Sequence, residues 1–191
     1  MNKKYELTDE TIMVNRRVLH RIKALRTFGF GVESGDLGGF IESEDNLDHA
    51  GRCWVFDVAR VYETARISEN ARVRGYSQVF GNARVYQCAQ IFVCAHIFGE
   101  ARVYGNAEVY GHAKVFGNSM ICGYGWINDW AEVYGTACVS GNAQVLRGVK
   151  LDSGCWNTTQ QIDCRQYIIS TTLKKILIST TEEDLWRKTY E

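Results

Sequence analysis

Residues 95–118 decide the fold, and they read AHIFGE, ARVYGN, AEVYGH and AKVFGN in four consecutive blocks of six. Each block carries alanine first, an aliphatic residue third and glycine fifth. Because alternate residues of a β-strand face the same side, the alanine and the aliphatic residue point inward together. On an α-helix a step of six advances about 240°, which would scatter these residues around the axis. The stretch therefore predicts short strands separated by glycine turns.

The same pattern extends far beyond these four blocks. The aliphatic position recurs every six residues from Val55 to Leu151, and the small position recurs from Cys53 to Ala143. Most of the aliphatic residues are β-branched, which suits a pleated strand, and glycine and asparagine at the corners tolerate positive φ. With six residues per side and three sides per coil, the pattern predicts an all-β, three-sided parallel β-helix. It would contain 18 residues per coil and five to six coils, roughly 25–28 Å long.

The pattern divides the chain into three segments. Residues 1–52 are predicted to cap the first coil, with short strands at residues 4–7 and 18–25 around a turn at residues 15–17. The glycine-rich stretch 29–39 lacks a following helix, so a turn is favoured over a phosphate-binding loop. Residues 53–151 form the β-helix. Residues 152–191 form an extension, with residues 166–179 extended and residues 182–190 a short helix that Thr181 caps.

Composition narrows the classes of partner. The net charge is zero, which predicts no general electrostatic attraction to nucleic acid or to acidic membranes. No apolar run approaches the roughly 18 residues of a membrane span, and residues 1–10 lack the apolar core of a signal peptide. The seven cysteines contain no CxxC pair, which argues against a zinc site and a disulfide framework. We therefore expect a cytoplasmic protein with free thiols and without metal or cofactor.

Residues 18 apart stack in columns on the outer walls, and one column is aromatic throughout. This aromatic column consists of Tyr62, Phe80, Phe98, Phe116 and Tyr134. So much apolar surface on a small protein favours coverage, by a second copy in a homo-oligomer (dimer or trimer), by the C-terminal segment, or by a foreign partner or ligand. A second, shorter aromatic set, Phe92 and Tyr110 near Trp126, lies on another wall.

The third wall carries an arginine column, Arg66, Arg84 and Arg102, beside Ser68, Tyr86 and Tyr104. Like charges on neighbouring strands are destabilising unless something compensates them, and the corner residues Glu63 and Glu100 would do so only in part. One interpretation is a solvated face with separated guanidinium groups. The other is a strip that binds anions or an acidic protein. Nucleic acid is a weaker hypothesis, because three arginines make a small electrostatic footprint.

The repeat resembles the hexapeptide repeat of left-handed β-helix proteins, and this resemblance implies the left hand. The segments KYEL (4–7), RIKAL (21–25), GDLGGFI (35–41) and CWVFD (53–57) extend the likeness to the YdcK-like group, over about residues 3–151. Proteins of that group occur in enteric and gut bacteria and in bacteriophages. They are often described as transferases or polymer-forming proteins without an established reaction. The phage members imply a host protein complex, such as a defence system, as a partner.

Hexapeptide acyltransferases also resemble this fold, and in that family a histidine typically serves as the base. The candidates are His96, on a wall, and His112, at a corner; Glu132 is two coils beyond His96. The six-residue pattern has no inserted loop that could build a pocket for coenzyme A, so catalysis would require a site between subunits. We therefore predict a non-catalytic protein-binding scaffold. The alternatives are an acyltransferase with an inter-subunit site and a purely structural homo-oligomer.

Overall fold

The computed structural model describes residues 3–157 and 161–162. These residues form a parallel β-solenoid of about 6 turns, with about 18 residues per coil and three sheets. The predicted all-β, three-sided β-helix is therefore confirmed. Within the same residues, no helix is long and apolar enough to cross a membrane.

The three sheets form three walls. In spatial order, wall one contains Tyr5–Val14 (β1), Arg17–Ala24 (β2), Leu37–Ile41 (β3), Arg60–Val61, Gln78–Val79, His96–Ile97, Lys114–Val115, Glu132–Val133 and Lys150–Leu151. Wall two contains Trp54–Val55, Arg72–Val73, Gln90–Ile91, Glu108–Val109, Trp126–Ile127, Gln144–Val145 and Gln161–Ile162. Wall three contains Arg66–Ile67, Arg84–Val85, Arg102–Val103, Met120–Ile121, Cys138–Val139 and Cys155–Trp156. One 3-10 helix, Glu44–Asn46, precedes the first strand of wall two.

The lining of the solenoid follows the repeat. Val79, Ile97 and Val115 are completely buried, as is Ala95 from the register of small residues. Each buried valine or isoleucine contributes on the order of 1.5–3 kcal/mol, before the entropy of ordering is subtracted. Successive coils are joined by backbone hydrogen bonds, such as the one from the Phe98 N–H to the Val115 carbonyl oxygen at 3.0 Å. The predicted inward position of both registers is confirmed.

The corners depend on backbone in the left-handed region. Gly81 has a φ of +70°, and a Cβ added there would lie 2.8 Å from the Gly99 nitrogen of the next coil. Glycine removes both the strain and the close contact. Some corners nevertheless carry larger residues at positive φ, including the β-branched Val93 at 65°. The turn geometry is therefore preserved where the sequence departs from glycine.

The N-terminal segment extends wall one. β1 and β2 pair antiparallel around Asn15 and Arg16, β2 pairs antiparallel with β3, and β3 pairs parallel with Arg60–Val61. Strands were predicted at both β1 and β2, and β1 is longer than expected. The glycine-rich stretch 29–39 was interpreted as a turn, but its last residues belong to β3. Gly39 is buried there, where an added Cβ would lie 2.5 Å from the Ala59 carbonyl oxygen.

Within the described residues, two strands follow Leu151, at Cys155–Trp156 and Gln161–Ile162, and they continue walls three and two. Trp156 is the registered partner of Val139 and is only 7% exposed, so an indole fills the inward position in this last coil. Its Nε1 donates to the Ser153 carbonyl oxygen at 3.1 Å. The extended stretch and the helix predicted at residues 166–179 and 182–190 lie outside the described residues.

Candidate partner-binding site on the arginine wall

The arginine column is continuous across three coils of wall three. Arg84 is the registered partner of both Arg66 and Arg102, and all three side chains are exposed. Adjacent parallel strands place these residues about 4.8 Å apart. Beside them, the rings of Tyr86 and Tyr104 stack with centroids 4.9 Å apart and an interplanar angle of 6°. The predicted ladder of cations next to tyrosines is thus present on one wall.

The arginine column forms one side of a groove of about 530 Å³, whose other side belongs to the N-terminal cap. Leu47 forms a parallel bridge to Ile67, and the buried Asn46 amide donates to the Glu63 and Ala65 carbonyl oxygens, both at 2.9 Å. These contacts fix the 3-10 helix and the residues after it against the first coil of wall three. This bridge and these two hydrogen bonds therefore set the position of the cap side of the groove.

The cap side of the groove is acidic. It presents Glu44, Asp45 and Asp48, which we call the cap acids, together with His49. Glu44 is partly neutralised, because its carboxylate lies 2.6 Å from the Lys3 ammonium; the His49 imidazole lies 3.6 Å away on its other oxygen. The hydrogen bond from Lys3 lowers the pKa of Glu44. The groove consequently has an acidic cap side and a mainly cationic arginine side, where Glu69 adds one carboxylate to the lining.

The guanidinium groups of the arginine column have no ion pair and no side-chain hydrogen bond with any residue that the structure describes. The two glutamates expected to compensate them in part are directed elsewhere. Glu63 contacts Arg17 at 3.5 Å and accepts from the Gly81 N–H at 2.7 Å, and Glu100 accepts from the Asn82 amide. Three adjacent, exposed cations therefore remain available to an external anion.

Arginine is well suited to this task, because its planar guanidinium can bind a carboxylate through two parallel hydrogen bonds. The neighbouring Tyr86 hydroxyl can add a neutral donor, whereas the Tyr104 hydroxyl already interacts with Cys122. Burial raises the pKa of Tyr86, while a hydrogen bond with Cys122 and then burial raise the pKa of Tyr104 to about 12. Both hydroxyls therefore stay protonated at neutral pH. The site can bind acidic groups through charge and through a hydroxyl donor.

The aromatic column is also continuous, with ring centroids 4.8–5.0 Å apart and nearly parallel planes from Tyr62 through Phe80, Phe98 and Phe116 to Tyr134. Each ring face is covered by the next ring, so mainly the ring edges face outward. Tyr62 is 1% exposed, because Leu19 and Phe40 of the cap pack with it. Stacking and the cap thus remove part of the apolar surface for which the sequence predicts a cover. Self-association through this column stays a prediction.

The two candidate histidines have different surroundings. His96 is flanked by its registered partners Gln78 and Lys114, as predicted, and burial and the Lys114 charge lower its pKa. His112 stacks on Trp130 with ring centroids 4.2 Å apart. Glu132 does not reach His96 but lies 3.8 Å from Lys114. Among the described residues, no carboxylate orients either imidazole, and the acyltransferase hypothesis stays a prediction that coenzyme A binding would test.

Sequence reasoning missed three features of the outer surface. The first is the set of cap acids, whose place beside the arginine column depends on a non-repetitive segment. The second is an exposed corner between walls two and one, where Tyr76 is 68% exposed and Trp130 is 65% exposed. The third is a group of thiols on wall three, Cys122, Cys138 and Cys155, which we call the thiol cluster. The 18-residue spacing places Tyr76 and Trp130 on the same corner and could have revealed it. The spacing could not have revealed the pairing of Cys138 with Cys155, because these residues are 17 apart.

Within the described residues, no group of three or more potential ligands is arranged to hold a metal ion. Comparison of the sequence with protein-family models and with curated proteins finds no match.

Proposed function

We propose that this protein is a non-catalytic recognition scaffold whose arginine column binds an acidic segment of a protein partner. The observation that supports this most is the stack of three exposed guanidinium groups that form no ion pair with any described residue. Repulsion between like charges on adjacent strands costs stability, and a carboxylate-rich partner would relieve it. The rigid β-helix holds the cations at a fixed spacing, which reduces the entropy lost on binding.

The cap acids support a choice of partner within this class. A long, uniform polyanion such as duplex DNA would have to pass over the carboxylates of Asp45 and Asp48, which repel it. A protein segment can place acidic residues over the arginine column and a basic residue near the cap. The bipolar groove therefore favours a protein segment of mixed charge over nucleic acid.

The likeness to left-handed hexapeptide-repeat proteins of the YdcK-like group supports two further parts of the proposal. We infer that the solenoid is left-handed. Because similar solenoids occur in bacteriophages, a host protein complex such as a defence system is the first class of partner to test. The six described cysteines are free thiols, which suits the reducing cytoplasm as the compartment.

A binding assay with a defined probe tests the proposal. A fluorescently labelled peptide of alternating glutamate and serine is titrated with the wild type and with the Arg66→Gln, Arg84→Gln, Arg102→Gln variant. We expect the variant to bind at least about tenfold more weakly, because hydrogen bonds to charged groups contribute about 1.5–3 kcal/mol each. The affinity of the wild type should also fall as salt concentration rises.

The matched control removes the same charge at scattered sites, as Arg16→Gln, Arg26→Gln, Arg147→Gln, since these arginines are also exposed. The control should bind the peptide like the wild type. If both variants lost affinity equally, the effect would depend on net charge alone. If the column variant bound the peptide like the wild type, the arginine column would not be the binding site. A duplex DNA probe of equal charge that bound more tightly than the peptide would overturn the preference for protein.

Self-association through the aromatic column is a second proposal, favoured by the continuity of the five stacked rings. Flat aromatic surfaces are enriched in protein interfaces, and a two-fold arrangement would pair the column of one copy with that of another. This surface belongs to wall one and the arginine column to wall three. A dimer could therefore present two arginine columns at once.

A further inference from the structure

The thiol cluster lies on the same wall as the arginine column, at the far end of the solenoid. Cys138 and Cys155 are registered partners on adjacent parallel strands. Burial, and after it the neighbouring thiols of Cys122 and Cys155, raise the pKa of the Cys138 thiol. All three cysteines are free, and Cys155 is exposed. Two registered cysteines that are not buried are unusual for residues that only fill space, because structural cysteines are mostly buried.

We propose that Cys138 and Cys155 form a reversible disulfide, with a small-molecule disulfide such as oxidised glutathione as the oxidant. Registered residues on adjacent strands have Cα atoms about 4.8 Å apart, which lies within the range of about 4.4–6.8 Å found for disulfides. Cys122 is two residues along the strand from Met120, the registered partner of Cys138. Its Cα is therefore about 8 Å from that of Cys138, beyond the limit of about 7 Å.

The reaction proceeds in two exchange steps. The exposed Cys155 thiolate attacks one sulfur of oxidised glutathione, the glutathione S–S bond breaks, and one glutathione thiolate leaves. The Cys138 thiolate then attacks the Cys155 sulfur of this mixed disulfide and releases the second glutathione. Two protein thiols are oxidised and one glutathione disulfide is reduced. The two protons lost by the cysteines are taken up by the two departing thiolates.

The environments of the two sulfurs indicate which thiol reacts first. Cys138 is partly buried, and burial followed by the charge of Cys122 raises the pKa of its thiol. A thiol with a raised pKa is a poor first nucleophile at neutral pH, so Cys138 acts in the second, intramolecular step, where proximity compensates for its low thiolate fraction. The rate of disulfide closure should consequently increase with pH.

The disulfide would fasten the last described coil to the one before it. Trp156 is adjacent to Cys155 and fills the interior opposite Val139, so the bond would hold the strand that carries this indole. The two coils are already joined by hydrogen bonds from the Cys138 N–H to Gly154 and from the Ser140 N–H to Trp156, both at 2.8 Å. Parallel side chains start about 4.8 Å apart at Cβ, wider than the usual 3.8 Å or so, which makes the bond easy to reduce.

The test uses the full-length protein in glutathione buffers of increasing oxidised fraction, followed by alkylation of the remaining thiols and peptide mapping. Trypsin cuts after Arg147 and Lys150, and a glutamate-specific protease cuts after Glu132, so Cys122, Cys138 and Cys155 fall in different peptides. We expect a cross-link between peptides 133–147 and 151–165, a loss of two free thiols and a decrease of about 2 Da in the intact mass.

Three variants make the assignment specific. Cys155→Ser should abolish the cross-link, Cys122→Ser should retain it, and Cys88→Ser serves as the matched control because Cys88 is exposed on a distant corner. Cys164→Ser should also retain it, which separates the two cysteines of peptide 151–165. Oxidation should slow hydrogen exchange at the Cys138 and Ser140 amides about tenfold in the wild type. A cross-link to Cys122 or Cys164, or only stable glutathione adducts, would overturn the proposal.

Discussion

The side-chain nitrogen of Lys4 lies 3.2 Å from the sulfur of Cys53, and both residues are completely buried between the cap and the first coil. The same nitrogen donates to the Cys53 carbonyl oxygen at 2.9 Å. Burial lowers the pKa of Lys4 and raises the pKa of Cys53, so the interior disfavours the charged form of each group. The cap is thus joined to the solenoid through a polar contact whose protonation depends on pH.

The first prediction concerns the pH dependence of stability in Lys4→Met. Because the folded-state pKa of Lys4 is lower than its ordinary 10.5, the unfolded state binds more protons in the interval between the two values. The wild type should therefore gain stability relative to the variant as pH rises towards 10.5, by at most about 1.4 kcal/mol per pH unit. Urea denaturation of both proteins at several pH values measures the difference.

The raised pKa of Cys53 acts in the opposite direction, because the unfolded thiol ionises first above its ordinary value of 9.0. Both proteins retain Cys53, so comparing them isolates most of the Lys4 contribution. A stability difference that is constant from neutral to alkaline pH would show that Lys4 keeps an ordinary pKa in the folded protein.

The second prediction concerns the strained corner at Val93. Its φ of 65° lies in the left-handed region, which costs a side chain with a Cβ roughly 1–2 kcal/mol, and 47% of the residue is exposed. Val93→Asn should raise the free energy of unfolding by about 1 kcal/mol, because asparagine tolerates this region better. Val18→Asn is the matched control, since Val18 is 46% exposed within β2.

The control should lose up to about 1 kcal/mol, because asparagine is disfavoured in a strand. If Val93→Asn stabilises the protein and Val18→Asn destabilises it, the gain in stability comes from relief of backbone strain at residue 93. If both variants were destabilised to the same extent, the Val93 conformation would not be a source of strain.

The third prediction tests the aromatic column in self-association. Phe80 and Phe98 stack at 5.0 Å near the centre of the column, and Phe80→Glu with Phe98→Glu places charges on the ring edges that would meet a second copy. We expect light scattering to show a monomer where the wild type shows a dimer or trimer. Phe92→Glu with Tyr110→Glu is the control, because these rings stack at 4.8 Å on wall two. A variant of unchanged mass and normal circular dichroism would exclude the column as the interface.

The fourth prediction concerns repulsion within the arginine column in the absence of a partner. Arg84→Gln removes the central charge between Arg66 and Arg102, and the melting temperature should rise at low salt, corresponding to about 0.2–1 kcal/mol. The gain should vanish near 1 M salt, where the Debye length is about 3 Å. Arg147→Gln should show no such salt dependence. A fall in stability at low salt would reveal a favourable contact of Arg84.

How far the sequence predicts the molecule depends on whether a contact repeats. Arg84 lies beside Arg102, and Phe80 beside Phe98, because each pair is separated by one coil of 18 residues. Once the inward register is known, every outward column follows from the spacing alone. The groove is different, since the bridge between Leu47 and Ile67 joins a non-repetitive segment to the solenoid. No periodicity marks that bridge, and the cap acids could not be placed beside the arginines.

The amino-acid sequence by itself determined the three-walled prism, its lining and its outer columns, because burial of small and β-branched residues at every sixth position leaves few other arrangements. The tertiary structure alone decided the acidic side of the groove, the Lys4–Cys53 contact and the pairing of Cys138 with Cys155, which are 17 residues apart rather than 18. These contacts arise from long-range packing of segments that do not repeat. Their positions depend on the shape of the whole cap and the last coil, and no local pattern encodes them.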